Sequence, residues 1–150
     1  MSLREDWLSV GAQIVERLQG ELAGELRQVR LAAAIEEIGD ASPASPAVWV
    51  AWGGDRIVEG AGPGQGAAQA IDQTWIVALL VRSAKEAASG AGAAEKAGPL
   101  IARILAALMG WQPDGSRGLR RVEAPRPTYL AGTGVYPLAF AARIIPVNTP

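Results

Sequence analysis

Four arginines within ten residues, Arg117, Arg120, Arg121 and Arg126, are the densest set of side chains in this sequence able to do chemistry. A planar guanidinium fork matches phosphate and carboxylate oxygens alike. The cluster therefore reads in three ways: as a site for an anionic ligand, as a solvated edge strand kept from pairing by its charge, or as an ion-pairing surface between protein subunits. A binder of single-stranded nucleic acid interleaves such charges with aromatic rings on which bases stack. Here only Tyr129 lies near.

The carboxylates offer less. Glu21/Glu25 and Glu36-Glu37 fall at helical or near-helical positions. Glycoside hydrolysis needs two carboxylates facing one cleft, and these read instead as solvated helix faces. Asp40, Asp55, Asp72 and Asp114 sit singly among turn residues, where Asp is favoured for backbone reasons. A magnesium site would require them to converge. The glycine-rich stretch 60–67 (GAGPGQGA) loosely fits a phosphate cradle through Gly62, Gly64 and Ala67. Pro63 removes one N–H donor and no Walker lysine follows, so it reads as a connection between strands.

Composition narrows the chemistry further. The sequence contains no histidine and no cysteine. The commonest general base, thiolate nucleophiles, disulfides and Cys-based zinc sites are thus excluded, and with them any Ser-His-Asp triad. The expectation is a protein that is not an enzyme and holds no cofactor and no metal. A net charge of −1 provides no overall field for nucleic acid or an anionic membrane. With 150 residues, 49% of them apolar, the chain suits one domain over 1–150 that buries roughly 70% of its unfolded surface. Its longest apolar run, Trp75 to Val81, is too short to span a bilayer, and the polar start Met1 to Asp6 is not a signal peptide. A soluble protein made in the cytoplasm is expected.

The elements that would position these residues follow from periodicity. Trp7, Val10, Ile14, Val15 and Leu18 define one face of a helix over 6–19, with Asp6 as N-cap and Gly20 at its end. Leu26 to Arg30 reads as a short strand leading into a second helix, 31–38, followed by a loop over 39–46. Strands are predicted at 47–52 and 73–82, the second central because its apolar character is nearly continuous. Gly53-Gly54-Asp55 reads as a turn that sends 56–59 back as a hairpin strand. A helix over 93–109 buries Ala97, Ile101, Ile104, Leu105 and Leu108, tolerates Pro99 near its first turn and stops at Gly110. A short strand at 119–123 is broken by Pro125-Arg126-Pro127, and a final strand runs over 135–146, these last two pairing antiparallel. The fold class is α+β: a mixed or antiparallel sheet of about four to five strands with two to three helices packed on it.

Five tryptophans is a high count for this length. Side chains alternate along a strand, so Trp49 and Trp52 cannot both lie on the face of Val48 and Val50. One of the two is a candidate for a subunit interface; the other reading is a sheet covered on both sides.

The order of motifs carries a resemblance. The chain resembles the tail terminator (tail-completion) proteins of long-tailed bacteriophages and prophages, of the Mu-like contractile type. The matching stretches are Pro46-Ala47-Val48-Trp49-Val50, Gln73-Thr74-Trp75-Ile76-Val77 ending in Val81-Arg82-Ser83, Ala97-Gly98-Pro99-Leu100-Ile101, Leu108-Met109-Gly110-Trp111-Gln112-Pro113, and the strand pair from Tyr129 to Phe140. Together they span about Trp7 to Ile145. The resemblance implies a non-enzymatic virion protein at the head-proximal end of the tail. It implies a homo-oligomeric ring, a hexamer, that caps the tail tube protein, stops its polymerisation and meets the head–tail connector, and in contractile tails the sheath. The genome would pass through the lumen without sequence-specific binding, and no membrane is involved. Interface candidates for such a ring are Trp49, Arg82, Lys85, Glu86, Arg117, Arg120 and Arg121. The small-residue loops at 60–70 and 83–92 are candidates for ordering when tube or sheath binds.

Overall fold

A computed structural model describes residues 3–33, 45–58, 69–84, 89–130 and 132–145. Two helices, α1 (Ser9–Glu21) and α2 (Ala91–Leu108), accompany six strands: β1 (Gln28–Ala32), β2 (Ala47–Ile57), β3 (Ile71–Arg82), β4 (Arg120–Val122), β5 (Thr128–Leu130) and β6 (Thr133–Ile144). The sheet order is β1-β2-β3-β6-β4, with β5 also paired to β6. Among the described strands, only β1 runs parallel to its neighbour; the other pairings are antiparallel. The fold is α+β on a mixed sheet, as the patterning predicts.

The core forms where helices meet one face of the sheet. Val48 and Val50 from β2, Trp75, Val77, Leu79 and Val81 from β3, and Leu138, Phe140 and Ala142 from β6 pack with Val10, Ile14 and Leu18 of α1 and Ala97, Ile104 and Leu108 of α2. Fully burying a ring or branched chain of this size contributes roughly 1.5–3 kcal/mol. β3 is buried along nearly its whole length, consistent with its central place. The opposite face holds a smaller cluster of Ala47, Trp49, Ala51, Ala78 and Leu80.

The two helices are tied by arginines. Arg17 donates from Nε to the Ala107 carbonyl at 3.1 Å and lies over the Trp111 ring. Arg103 bonds the Glu25 carboxylate at 2.8 Å and the Glu21 carbonyl at 3.1 Å. Glu21, the last residue of α1, pairs with Arg17 on its own helix, and Glu25, past the helix end, pairs with Arg103 of α2.

Several boundaries differ from the sequence expectation. Leu31 and Ala32 belong to β1, not to a second helix; the rest of that predicted helix, from residue 34, lies outside the described residues. Leu and Ala favour a helix locally, but the open edge of β2 at 47–51 supplies a hydrogen-bonding partner that local preference cannot foresee. Gly53-Gly54-Asp55 is no turn. The strand continues through a bulge between Trp52 and Gly54, with Gly54 at φ +99°, and residues 55–57 still pair with β3. Helix α1 starts at Ser9, after a turn in which Asp6 accepts the Leu8 and Ser9 N–H groups, and it runs through Gly20 to Glu21. Pro99 is the ninth residue of α2, well past the first turn; it lies on the exposed side and gives no N–H to the carbonyl four residues back. Gly110, at φ +79°, follows the end of α2 as predicted. Because β3 occupies one edge of β6 throughout, β4 and β5 share the other, interrupted where Pro125 and Pro127 stand.

Candidate functional site

The arginine cluster does not act as one surface. Arg120 leaves it to join Asp72, which lies inside β3 and not in a turn. The Asp72 carboxylate is 3% exposed and accepts from Arg120 at 2.6 Å and from Arg143 at 2.7 and 2.9 Å. Cross-strand register explains the geometry: Asp72 sits opposite Arg143, while Arg120 sits opposite Ala141, the next residue on that face. The Arg143 hydrogen bond, reinforced by Arg120, holds the Asp72 carboxyl at about 2 against the desolvation that opposes it. This is an internal fastening of β3, β4 and β6. Its partners are 48 and 71 residues apart, so no spacing in the sequence signals it.

A second buried polar group stands next to Asp72 on β3. Gln73 is fully buried, donates to the Trp7 carbonyl at 2.8 Å and accepts the Trp75 indole N–H at 2.8 Å. The Trp7 indole in turn donates to Asp55 at 2.8 Å, and the Trp52 indole donates to the other oxygen of Asp55 at 3.2 Å. Asp55 therefore holds two indoles beside the start of α1.

The interface candidates separate on the structure. Trp49 is 3% exposed, with Arg30 stacked 4.5 Å from its ring centroid and its indole N–H buried without a partner. The tryptophan of this strand that reaches the surface is Trp52, 41% exposed. Arg82 is exposed at the end of β3, where its backbone N–H donates to the Ser45 hydroxyl at 2.8 Å. Arg117 and Arg121 are exposed, and Arg117 donates its backbone N–H to the Arg143 carbonyl. Arg121 edges an open groove with Ile101, Pro125, Tyr136 and Leu138. Burial raises the Tyr136 hydroxyl pKa, with Tyr129 beside it adding to the effect. Lys85 and Glu86 lie outside the described residues, as do most of the 60–70 loop and the middle of the 83–92 loop. Among the described residues no group of three or more acidic side chains could hold a metal ion, and no helix is long and apolar enough to cross a membrane.

Part of β2 is left uncovered beyond β1. β1 covers β2 only from Ala47 to Ala51. Beyond it, residues 52–57 pair with β3 on one side and with nothing described on the other, and all but Gly54 are exposed. Trp52 and Ile57, at 41% and 52% exposure, put large apolar side chains on this edge. Periodicity could not separate it from an ordinary strand end, because the bulge hides the continuation.

Comparison with known proteins gives one family match. A protein-family model described as phage tail terminator protein matches residues 6–149. No curated protein matches the sequence. Among solved structures, a chain in the virion of a native gene transfer agent particle matches with a TM-score of 0.49 and 20% identity, over 88% of this chain and 91% of that one.

Proposed function

This chain belongs to the phage tail terminator family, and from that premise we propose that it forms a ring which caps the tail tube, stops its polymerisation and presents the joining surface for the head connector. The single observation that carries the reading is the family match over residues 6–149, nearly the whole chain. A structural role in a phage tail follows from the family itself.

The finer reading has physical support. A closed ring of identical subunits needs a heterologous contact, with two different patches meeting by rotation. An uncovered stretch of β2 bearing Trp52 and Ile57, and an outer strand β4 bearing arginines, supply two such patches. Six copies in the ring, contact with the sheath in a contractile tail, and a place at the head-proximal end of the virion are parts of the same proposal. So is the absence of catalysis: the part played by this chain is to present surfaces, and its buried charges fasten its own strands.

The test is electron microscopy of tails assembled without this protein. Over-long tubes or tails lacking heads are expected. Virions joined normally to tails of normal length would overturn the proposal.

A further inference from the structure

The sheet rows bring two exposed side chains into register across the molecule. Trp52 pairs with Trp75, Trp75 with Phe140, and Phe140 with Arg121, so these four occupy one row from the open edge of β2 to the outer strand β4. Trp52 and Arg121 end that row on opposite sides of the subunit, and both are exposed. Strand direction matches as well. β2 is antiparallel to β3, β3 to β6 and β6 to β4, so β4 runs opposite to β2. A second copy's β2 laid beside β4 would continue the antiparallel alternation.

We propose that the open β2 edge at 52–57 of one copy extends the sheet at β4 of the next, bringing Trp52 and Asp55 against Arg121. This rests on the ring reading and names its contact. Three observations select a second copy as the occupant. Residues 52–57 form an uncovered strand edge that carries Trp52 and Ile57 beside Asp55 and Arg56; pairing with an added strand satisfies its backbone groups. One charge pair is complementary: Asp55, which already accepts the Trp7 and Trp52 indoles, presents a carboxylate beside the exposed Trp52 ring, and Arg121 is a guanidinium not engaged by Asp72. An arginine over an indole adds a cation–π contact. Finally, the two edges differ, so the contact is head-to-tail and closes by rotation, unlike a two-fold pairing of β2 with itself.

The test uses the full chain, whose lack of cysteine makes introduced thiols unique. Sedimentation velocity over a concentration series gives the concentration of half-assembly. Trp52→Ala and Arg121→Glu should each raise it about tenfold or more, and Arg121→Glu, at an exposed position, should do so with the thermal unfolding of the monomer unchanged. In parallel, Arg56→Cys and Arg117→Cys, both at exposed positions near the two edges, are treated with a short bis-maleimide. The double variant should cross-link into a ladder that ends at the ring, and each single variant should remain uncrosslinked. Cross-linking of Arg56→Cys alone would establish β2-to-β2 pairing and overturn the inference. So would rings whose assembly ignores both surface substitutions; the ring reading would then survive and only this contact would fall. A wild-type chain that stays monomeric at every concentration removes the ring and the contact together.

Discussion

Asp72 is the residue whose chemistry matters most to this fold. It is nearly inaccessible yet ionised, because two guanidiniums replace the water it lost. Its folded pKa, about 2, lies below the ordinary value of 3.8, so its contribution is fully present above pH 4 and disappears as pH falls through 2. The linked stability is about 2 kcal/mol. Asp72→Ala should therefore lower unfolding stability by roughly 2 kcal/mol at pH 7, taking the carboxylate from exposed Arg120 and from the partly buried Arg143. Urea denaturation of both proteins at pH 7 and pH 2.5 checks the sign: the gap should narrow at the lower pH. Gln73 tests burial without charge. Gln73→Leu strands the Trp75 indole N–H inside the core and releases the Trp7 carbonyl. An unsatisfied buried donor costs about 1–3 kcal/mol, and chemical denaturation should show a loss in that range.

At the scale of elements, the seat of α1 on the sheet depends on a glycine. A Cβ on Gly11 would come within 2.5 Å of the Trp75 ring, itself held by Gln73. Alanine normally improves a helix by up to about 1 kcal/mol, but overpacking of this kind costs about 1–3 kcal/mol. Gly11→Ala should accordingly destabilise the protein, read as a lower thermal midpoint, and a rise would show that α1 can shift away from the sheet. Pro99 offers the opposite case. It stands mid-helix on an exposed side of α2, where proline is unfavourable. Pro99→Ala should raise the thermal midpoint, the gain being on the order of 1–3 kcal/mol.

For the whole molecule, assembly and stability are linked by mass action. If copies associate through folded edges, the thermal midpoint rises with protein concentration. Calorimetry across a hundred-fold concentration range should show that rise for the wild type. Gly11→Ala should lower the curve while keeping its slope, since its effect lies within one subunit. A midpoint independent of concentration would contradict association of folded copies.

Much of this was written in local pattern. The α1 face, the central place of β3, the α2 stripe ending at Gly110 and the proline break after β4 all follow from periodicity and backbone chemistry, which act between near neighbours in the chain. The exclusion of histidine and cysteine chemistry follows from composition alone. The rest belongs to pairing between distant strands. Leu31 and Ala32 became strand because β2 offered an edge, and Asp55 became a clasp for two indoles because a bulge carried the strand past its glycines. Arg120 left the arginine cluster because register set it beside Asp72. Of the two tryptophans that alternation could not assign, the structure enclosed Trp49 and left Trp52 at the surface. Register is fixed only when strands meet, so the sequence determined which side chains were available and the tertiary structure decided which were consumed within the chain and which were left at its surface.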